Sequence, residues 1–229
     1  MTVTTTKLSR AAGLAAVVAG LLFIIIQPIH PPENLASVTG TSWAVVASIT
    51  LAFSILGLVG ASGIYLRQVK EAGVLGLVGY VMYAAFFLLT SVFTFAEMFI
   101  LPPLASQAPQ FVTSFLGIFS GTSGGAELGA LGAFGAVGFG VYLVGGSVFG
   151  IALFRARVLA RWAALALVFA SMSTLLIPLL PHSLGRYAAV PMGIALIGLG
   201  YSLWSDQRVA VVGSVPDRTS RRLDLATAE

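Results

Sequence analysis

Few side chains in this apolar chain can do chemistry, and the densest group of them is Tyr83, Thr90, Thr94 and Glu97. Their spacings of 7, 4 and 3 put them in one narrow stripe on a helix that turns by about 100° per residue. A polar stripe avoids lipid and turns toward a bundle interior. Read for function, it is a hydrophilic track with Glu97 as a gate or an ion ligand. Read plainly, it is interhelical hydrogen bonding by Tyr and Thr. Glu97 lies 23 residues beyond Val74, roughly 35 Å along a helix and so just past a ~30 Å hydrocarbon core. There its desolvation costs little, and it is tolerated without a special role.

A second set is His30, Glu33, Glu127, His182 and Arg186. Imidazole and carboxylate are ligands for a divalent ion such as zinc when they converge. These residues come from different connections, and no pair has a ligand spacing such as His-x-x-x-His. The plainer expectation is a solvated rim in which Arg186 pairs with a carboxylate. Haem held by His30 and His182 needs a lined pocket, which two histidines do not demonstrate. No cofactor is therefore expected, with haem or a divalent metal at this face as the alternatives. No lysine sits within an apolar stretch to carry a retinal Schiff base. Every aspartate falls on the side opposite the histidines, which leaves a Ser-His-Asp arrangement without its acid. No catalytic residue is assigned.

Glycine is the third excess, 26 residues. Gly125, Gly129 and Gly132, followed by Gly135, Gly138, Gly145, Gly146 and Gly150, make a small-residue face on the fourth apolar stretch. Such faces let neighbouring helices approach closely, and packing is the expected role of Gly125, Gly129 and Gly132. The Gly-x-x-Gly spacings lie inside a span and are no phosphate loop.

The elements that must position these residues follow from composition. Of 229 residues 58% are hydrophobic and 9% charged, and mean hydropathy is +0.98; soluble domains run at roughly 25% charged. A cytoplasmic globular enzyme and a disordered chain are both excluded. With no cysteine, disulfides, thiolate metal sites and thiol nucleophiles are excluded as well. Six stretches reach the roughly 20 apolar residues that a membrane helix needs: residues 11–29, 43–66, 74–101, 128–153, 162–180 and 187–204. None alternates with the period of 2 that a membrane strand requires. Lys7 and Arg10 before the first stretch imitate a signal peptide. His30-Pro31-Pro32-Glu33-Asn34 offers no small-x-small cleavage pattern, so a span is expected.

Eleven of the 12 Lys and Arg fall in the N-terminus, the 67–73 and 154–161 loops and the tail, and Arg186 alone falls opposite. The positive-inside rule then puts both termini in the cytoplasm of an inner-membrane protein. The tail from Ser205 holds four Arg against four acids, which argues against nucleic acid and against a polybasic lipid-binding segment. Residues 1–10 and 205–229 are cytoplasmic on this reading, and the polar end from Val212 is expected to be disordered. In the 102–127 connection, Phe111, Phe115, Ile118 and Phe119 share one helical face and Thr113, Ser114 and Gly117 the other. That pattern suits a short helix in the interface or a cap folded over the bundle.

The run from Gly150-Ile-Ala-Leu-Phe-Arg to Ala-Leu-Val168 resembles a helix hairpin of an uncharacterised bacterial family of six-helix membrane proteins, a domain of unknown function. Ala11-Ala12-Gly13-Leu14 after a basic residue is similar too, and the likeness covers most of residues 8–206. The chain departs from that family at Ala160, where a proline is expected, and at Gly145, where a polar residue is. The resemblance implies a fold and no activity.

The sequence thus predicts an all-α, six-helix polytopic protein embedded in the bilayer with both termini inside. The function it suggests first is a non-enzymatic membrane component or accessory subunit. Its Arg155–Arg161 turn would dock another membrane protein, or a second copy of the chain would assemble with it. The second is a small cation- or proton-coupled carrier or channel using the Tyr83, Thr90, Thr94, Glu97 stripe. Transporters often show repeated halves and mid-membrane breaks; Gly63-Ile64-Tyr65-Leu66-Arg67 and Gly150-Ile151-Ala152-Leu153-Phe154-Arg155 begin the two hairpins alike, but Pro28, Pro102 and Pro178 all lie near one end of their spans and no central break is visible.

Overall fold

The computed structural model describes residues 2–179 and 186–213, and every regular element among them is helical. Helix α1, Thr5–Ile29, starts where the Thr4 hydroxyl accepts from the Lys7 N–H at 3.3 Å. After the single turn α2, Leu35–Val38, come α3, Thr41–Arg67, and α4, Val69–Phe95, separated only by Gln68. Gly73, at φ 58° and ψ −154°, breaks α4 after its first turn, so the long straight part starts at Val74. A π-turn, Ala96–Ile100, links α4 to α5, Leu101–Gln107, and α6, Pro109–Ser120, follows. A 3-10 turn, Gly129–Ala133, leads into α7, Phe134–Ala156. Helix α8, Arg161–Ser173, runs on as 3-10 helix Thr174–Leu179; a further 3-10 turn, Arg186–Ala189, opens α9, Val190–Gly213.

Among the described residues, five helical segments are long and apolar enough to cross a membrane: Thr5–Ile29, Thr41–Arg67, Val69–Gln107, Gly129–Ala156 and Arg186–Asp206. The segment Arg161–Leu176 is apolar but shorter. On α1 the buried positions are Ala12, Gly13, Ala15, Ala16, Ala19, Gly20 and Ile26, all small but the last, while Leu14, Val18, Leu21 and Ile25 are exposed. Small residues inside and large apolar residues outside reverse the pattern of a water-soluble helix and suit one solvated by lipid.

The long helices form a closed ring in chain order. Helix α1 packs on α3, α3 on α4, α4 on α7, α7 on α8, α8 on α9, and α9 returns to α1. Neighbours run antiparallel, as the closing seam shows. A Cβ on Gly13 would meet the Gly200 carbonyl at 2.7 Å, one on Gly200 would meet the Gly13 carbonyl at 2.5 Å, and one on Gly193 would meet the Gly20 carbonyl at 2.8 Å. Only glycine lets the two backbones lie this close. Helices α4 and α7 meet similarly, a Cβ on Gly145 falling 2.7 Å from the Tyr83 nitrogen. The start of α1 and the end of α9 consequently share one end of the ring with the α3–α4 turn. There Arg67 Nε donates to Asp206 Oδ2 at 2.7 Å, and the Arg10 guanidinium lies over Trp204 at 5.8 Å.

Inside, aromatic side chains fill the ring from that end upward. Tyr65 stacks on Tyr80 at 4.6 Å between centroids, Tyr83 meets Phe149 at 5.8 Å and Phe87 at 5.0 Å, and Phe53 stacks on Phe23 at 4.4 Å. A second apolar cluster caps the other end, where Val112, Phe115 and Leu116 of α6 bury against Val38, Trp43 and Leu101. Of the two settings expected for this segment, the structure has the cap. Its other side is covered too, since the Ser114 hydroxyl accepts from the Gly124 and Ala126 N–H groups at 3.1 and 3.2 Å.

The glycines expected to pack the fourth span lie elsewhere. Gly125 and Gly129 have φ of 84° and 54°, which keeps both outside an α-helix, and Gly132 sits in the 3-10 turn. A Cβ on any of the three would meet nothing within 4 Å. Close approach belongs to Gly145, Gly146 and Gly150, further along α7. Helix α9 also continues past Trp204 to Gly213; the tail from residue 214 lies outside the described residues, as does His182.

Candidate functional site

At the end of the ring away from the termini, a cavity of about 350 Å³ opens between the helices. Its walls include Phe23, Ile26 and Gln27 of α1, Thr50 of α3, Phe86 of α4, Tyr142 of α7 and Met192 of α9. His30, Thr174 and Arg186 line it as well, so all six ring helices or their extensions contribute. A narrow cleft of about 10 Å³ adjoins it, sharing His30 and Thr50 and continuing to Trp43 and Glu97. That is about the space one water molecule occupies.

Local sequence explains how Glu97 reaches this place. Pro102 and Pro103 carry no N–H, so the α4 ladder cannot continue through them. The chain answers with a π-turn in which the Leu101 N–H bonds the Ala96 carbonyl instead of that of Glu97. The Glu97 carbonyl then has neither its normal partner nor one at residue 102. Trp43 of α3 supplies the missing donor, its indole N–H reaching the Glu97 oxygen at 3.0 Å. The same indole meets the His30 ring edge-on at 6.2 Å. Bulges of this kind in helices frequently mark functional sites. The half-buried Glu97 carboxyl forms no hydrogen bond or ion pair among the described residues.

On α1, Pro28 interrupts the last turn, and the Gln27 amide folds back to donate to the Phe23 carbonyl at 2.8 Å. His30 follows the helix end. Its Nδ1 lies 2.8 Å from the Pro31 carbonyl, and since a carbonyl only accepts, Nδ1 carries the proton and Nε2 a lone pair. Burial lowers the His30 pKa from its ordinary value; Arg186 lowers it further, against the Pro31 hydrogen bond and Glu33, which raise it. The ring is therefore held neutral. Arg186 Nη2 donates to Glu33 Oε1 at 2.9 Å, with both side chains roughly a quarter exposed at 28% and 27%.

Of the rim residues picked from sequence, the structure brings His30, Glu33 and Arg186 together, with Glu97 within electrostatic range of Glu33 and Arg186. Glu127 is exposed and forms no ion pair with them among the described residues. No group of three His, Cys, Asp or Glu among the described residues is arranged to hold a metal ion. Within the helical stripe, Tyr83 and Thr94 are buried at 1% exposure, and the Thr90 hydroxyl donates to the Phe86 carbonyl of its own helix at 2.9 Å. None of these three lines the cavity. Tyr83 lies just under its floor, against Phe86 and Tyr142, and its buried hydroxyl has no hydrogen-bond partner among the described residues. Gln27, Thr50, Tyr142 and Thr174 were not singled out by sequence. Each is an uncharged polar residue within an apolar stretch, and only the Gln27-Pro28 pair carried a local signal.

Comparisons with protein families, with curated proteins and with solved structures find no match.

Proposed function

We propose that this is a six-span protein of the cytoplasmic membrane, with both termini inside, that takes a small organic molecule into the ring from the outer side as the binding step of a carrier. The observation that carries the reading is the cavity of about 350 Å³ built by all six ring helices at the end away from the termini. It sits at the lower edge of the ligand-pocket range, mostly apolar with a few convergent polar groups, as small-molecule sites are. Two arguments support six spans. Helix α8 occupies a full place in the ring. Its 13 α-helical and 6 further 3-10 residues, laid end to end, reach roughly 32 Å, enough for a ~30 Å core. The basic residues of the α3–α4 and α7–α8 turns favour that end as cytoplasmic.

A chain without cysteine suits the direct test. Ala189→Cys, in the cavity wall, is expected to react with a membrane-impermeant thiol reagent added outside intact cells. Labelling only after permeabilisation refutes the orientation, and no labelling in either state refutes an open cavity. The accessory-subunit reading rests on one observation: Arg155 and Arg157 are exposed and form no ion pair among the described residues. Positive-inside topology accounts for both arginines without a partner.

A further inference from the structure

The polar groups of the cavity wall have mostly spent their protons on the protein. Gln27 donates to the Phe23 carbonyl at 2.8 Å, Thr50 to Val46 at 2.9 Å and Thr174 to Ser171 at 2.6 Å. His30 uses its Nδ1 proton on Pro31. What remains on Gln27, His30, Thr50 and Thr174 is a set of lone pairs, apart from the second amide proton of Gln27. The free donors of Arg186 sit at the rim, where Glu33 already matches its charge. Behind His30 and Thr50, across a cleft about one water wide, the Glu97 carboxyl has no cation partner among the described residues. The apolar walls include the aromatic faces of Phe23, Phe86 and Tyr142, which attract cations.

Resting on the ligand-binding reading, we propose that the cavity takes an organic ammonium ion with an apolar body, its N–H groups donating to His30 Nε2 and Thr50 and its charge compensating Glu97. A wall richer in acceptors than in donors, a carboxyl without an ion pair among the described residues and aromatic faces all favour the same chemistry. Neutral alcohols meet only the first demand, and a carboxylate meets only the free N–H groups of Arg186 and Gln27.

The test uses the full chain in phosphatidylcholine nanodiscs, with binding to empty discs subtracted. Three matched probes are compared by equilibrium dialysis at neutral pH: 2-phenylethylammonium, 2-phenylethanol and 3-phenylpropionate. The ammonium is expected to bind at least roughly tenfold more tightly than the carboxylate, with the alcohol between them. Glu97→Gln is expected to cost the ammonium about tenfold and to change the alcohol by less than about twofold, which also shows that the variant is folded. Preference for the carboxylate, or equal loss of ammonium and alcohol in Glu97→Gln, overturns the ammonium assignment and leaves the cavity reading standing. Absence of saturable binding by all three, or binding that survives filling the cavity with Ala189→Phe, overturns both.

Discussion

Trp43→Phe keeps an aromatic ring in the cap cluster and removes one N–H, the donor to the Glu97 carbonyl at 3.0 Å. The loss cannot be made good from the chain, because the Leu101 N–H is committed to Ala96 and residue 102 is proline. An unsatisfied buried carbonyl costs about 1–3 kcal/mol, while hydrogen bonds measured within membranes average about 0.6 and reach about 1.7 kcal/mol. The expected destabilisation is therefore about 1–2 kcal/mol, read by reversible unfolding in bicelles. Pro102→Ala restores an N–H at the position from which a π-turn bonds the Glu97 oxygen. In the double variant the Trp43→Phe penalty should shrink by at least about half, a coupling that a cycle of the four proteins isolates. If Trp43→Phe costs the same with and without Pro102→Ala, the orphaned carbonyl is not what the indole serves, and the account of how Glu97 is held is refuted.

Along the α1–α9 seam, Gly193→Ala places a methyl 2.8 Å from the Gly20 carbonyl, against ordinary contacts of about 3.5–4.0 Å. A loss of roughly 1–3 kcal/mol in the same unfolding assay is expected, whereas Gly132→Ala, facing open space, should stay within about 0.5 kcal/mol. His30 has a folded pKa below its ordinary 6.5, so between those two values the folded state binds fewer protons than the unfolded one and stability rises with pH. The melting temperature should therefore hold above about pH 6.5 and fall on acidification below it, with His30→Gln flattening that part of the profile. Arg186→Gln strands Glu33, and because the pair is partly exposed the loss should be no more than about 1 kcal/mol. Adding Glu33→Gln should return most of it.

Hydropathy made the long segments legible because a helix in lipid needs length and apolarity and little else. Even the break at Gly73, which sets the start of the straight part of α4, agrees with the end of the basic 67–73 turn. Spacing along the sequence was less informative about depth and facing. Gly125, Gly129 and Gly132 have packing intervals, yet positive φ at two of them holds the chain out of helix until Phe134. Thr90 lies on the polar stripe, and its hydroxyl is satisfied by its own helix. Beyond His30 and Arg186, the cavity wall was not legible. Gln27, Thr50, Tyr142 and Thr174 are single residues on four elements, and they converge only because the ring closes in chain order. That closure is decided by backbone approach at Gly13, Gly20, Gly193 and Gly200, a pairwise fit that no single helix encodes. Rim residues fared better: Arg186 was expected to meet a carboxylate, and it meets Glu33.

The cavity lies where it does because helices lose regular geometry at one end. Pro28 disturbs the last turn of α1, Pro102 and Pro103 force the π-turn after α4, α8 gives way to 3-10 helix at Thr174, and α9 begins through 3-10 turn Arg186–Ala189. A 3-10 helix is narrower than an α-helix, and its poorer hydrogen bonds keep it short. Side chains at these ends consequently leave the registers that pack the aromatic interior below. Two close seams, α1 against α9 and α4 against α7, hold the rest of the ring tight. Loosening the ends therefore opens space without loosening the bundle. The π-turn also leaves the Glu97 carbonyl for the Trp43 indole to satisfy, and both residues line the cleft beside the cavity. Prolines that look like simple helix stops in the sequence thus both open the site and set Glu97 at its edge.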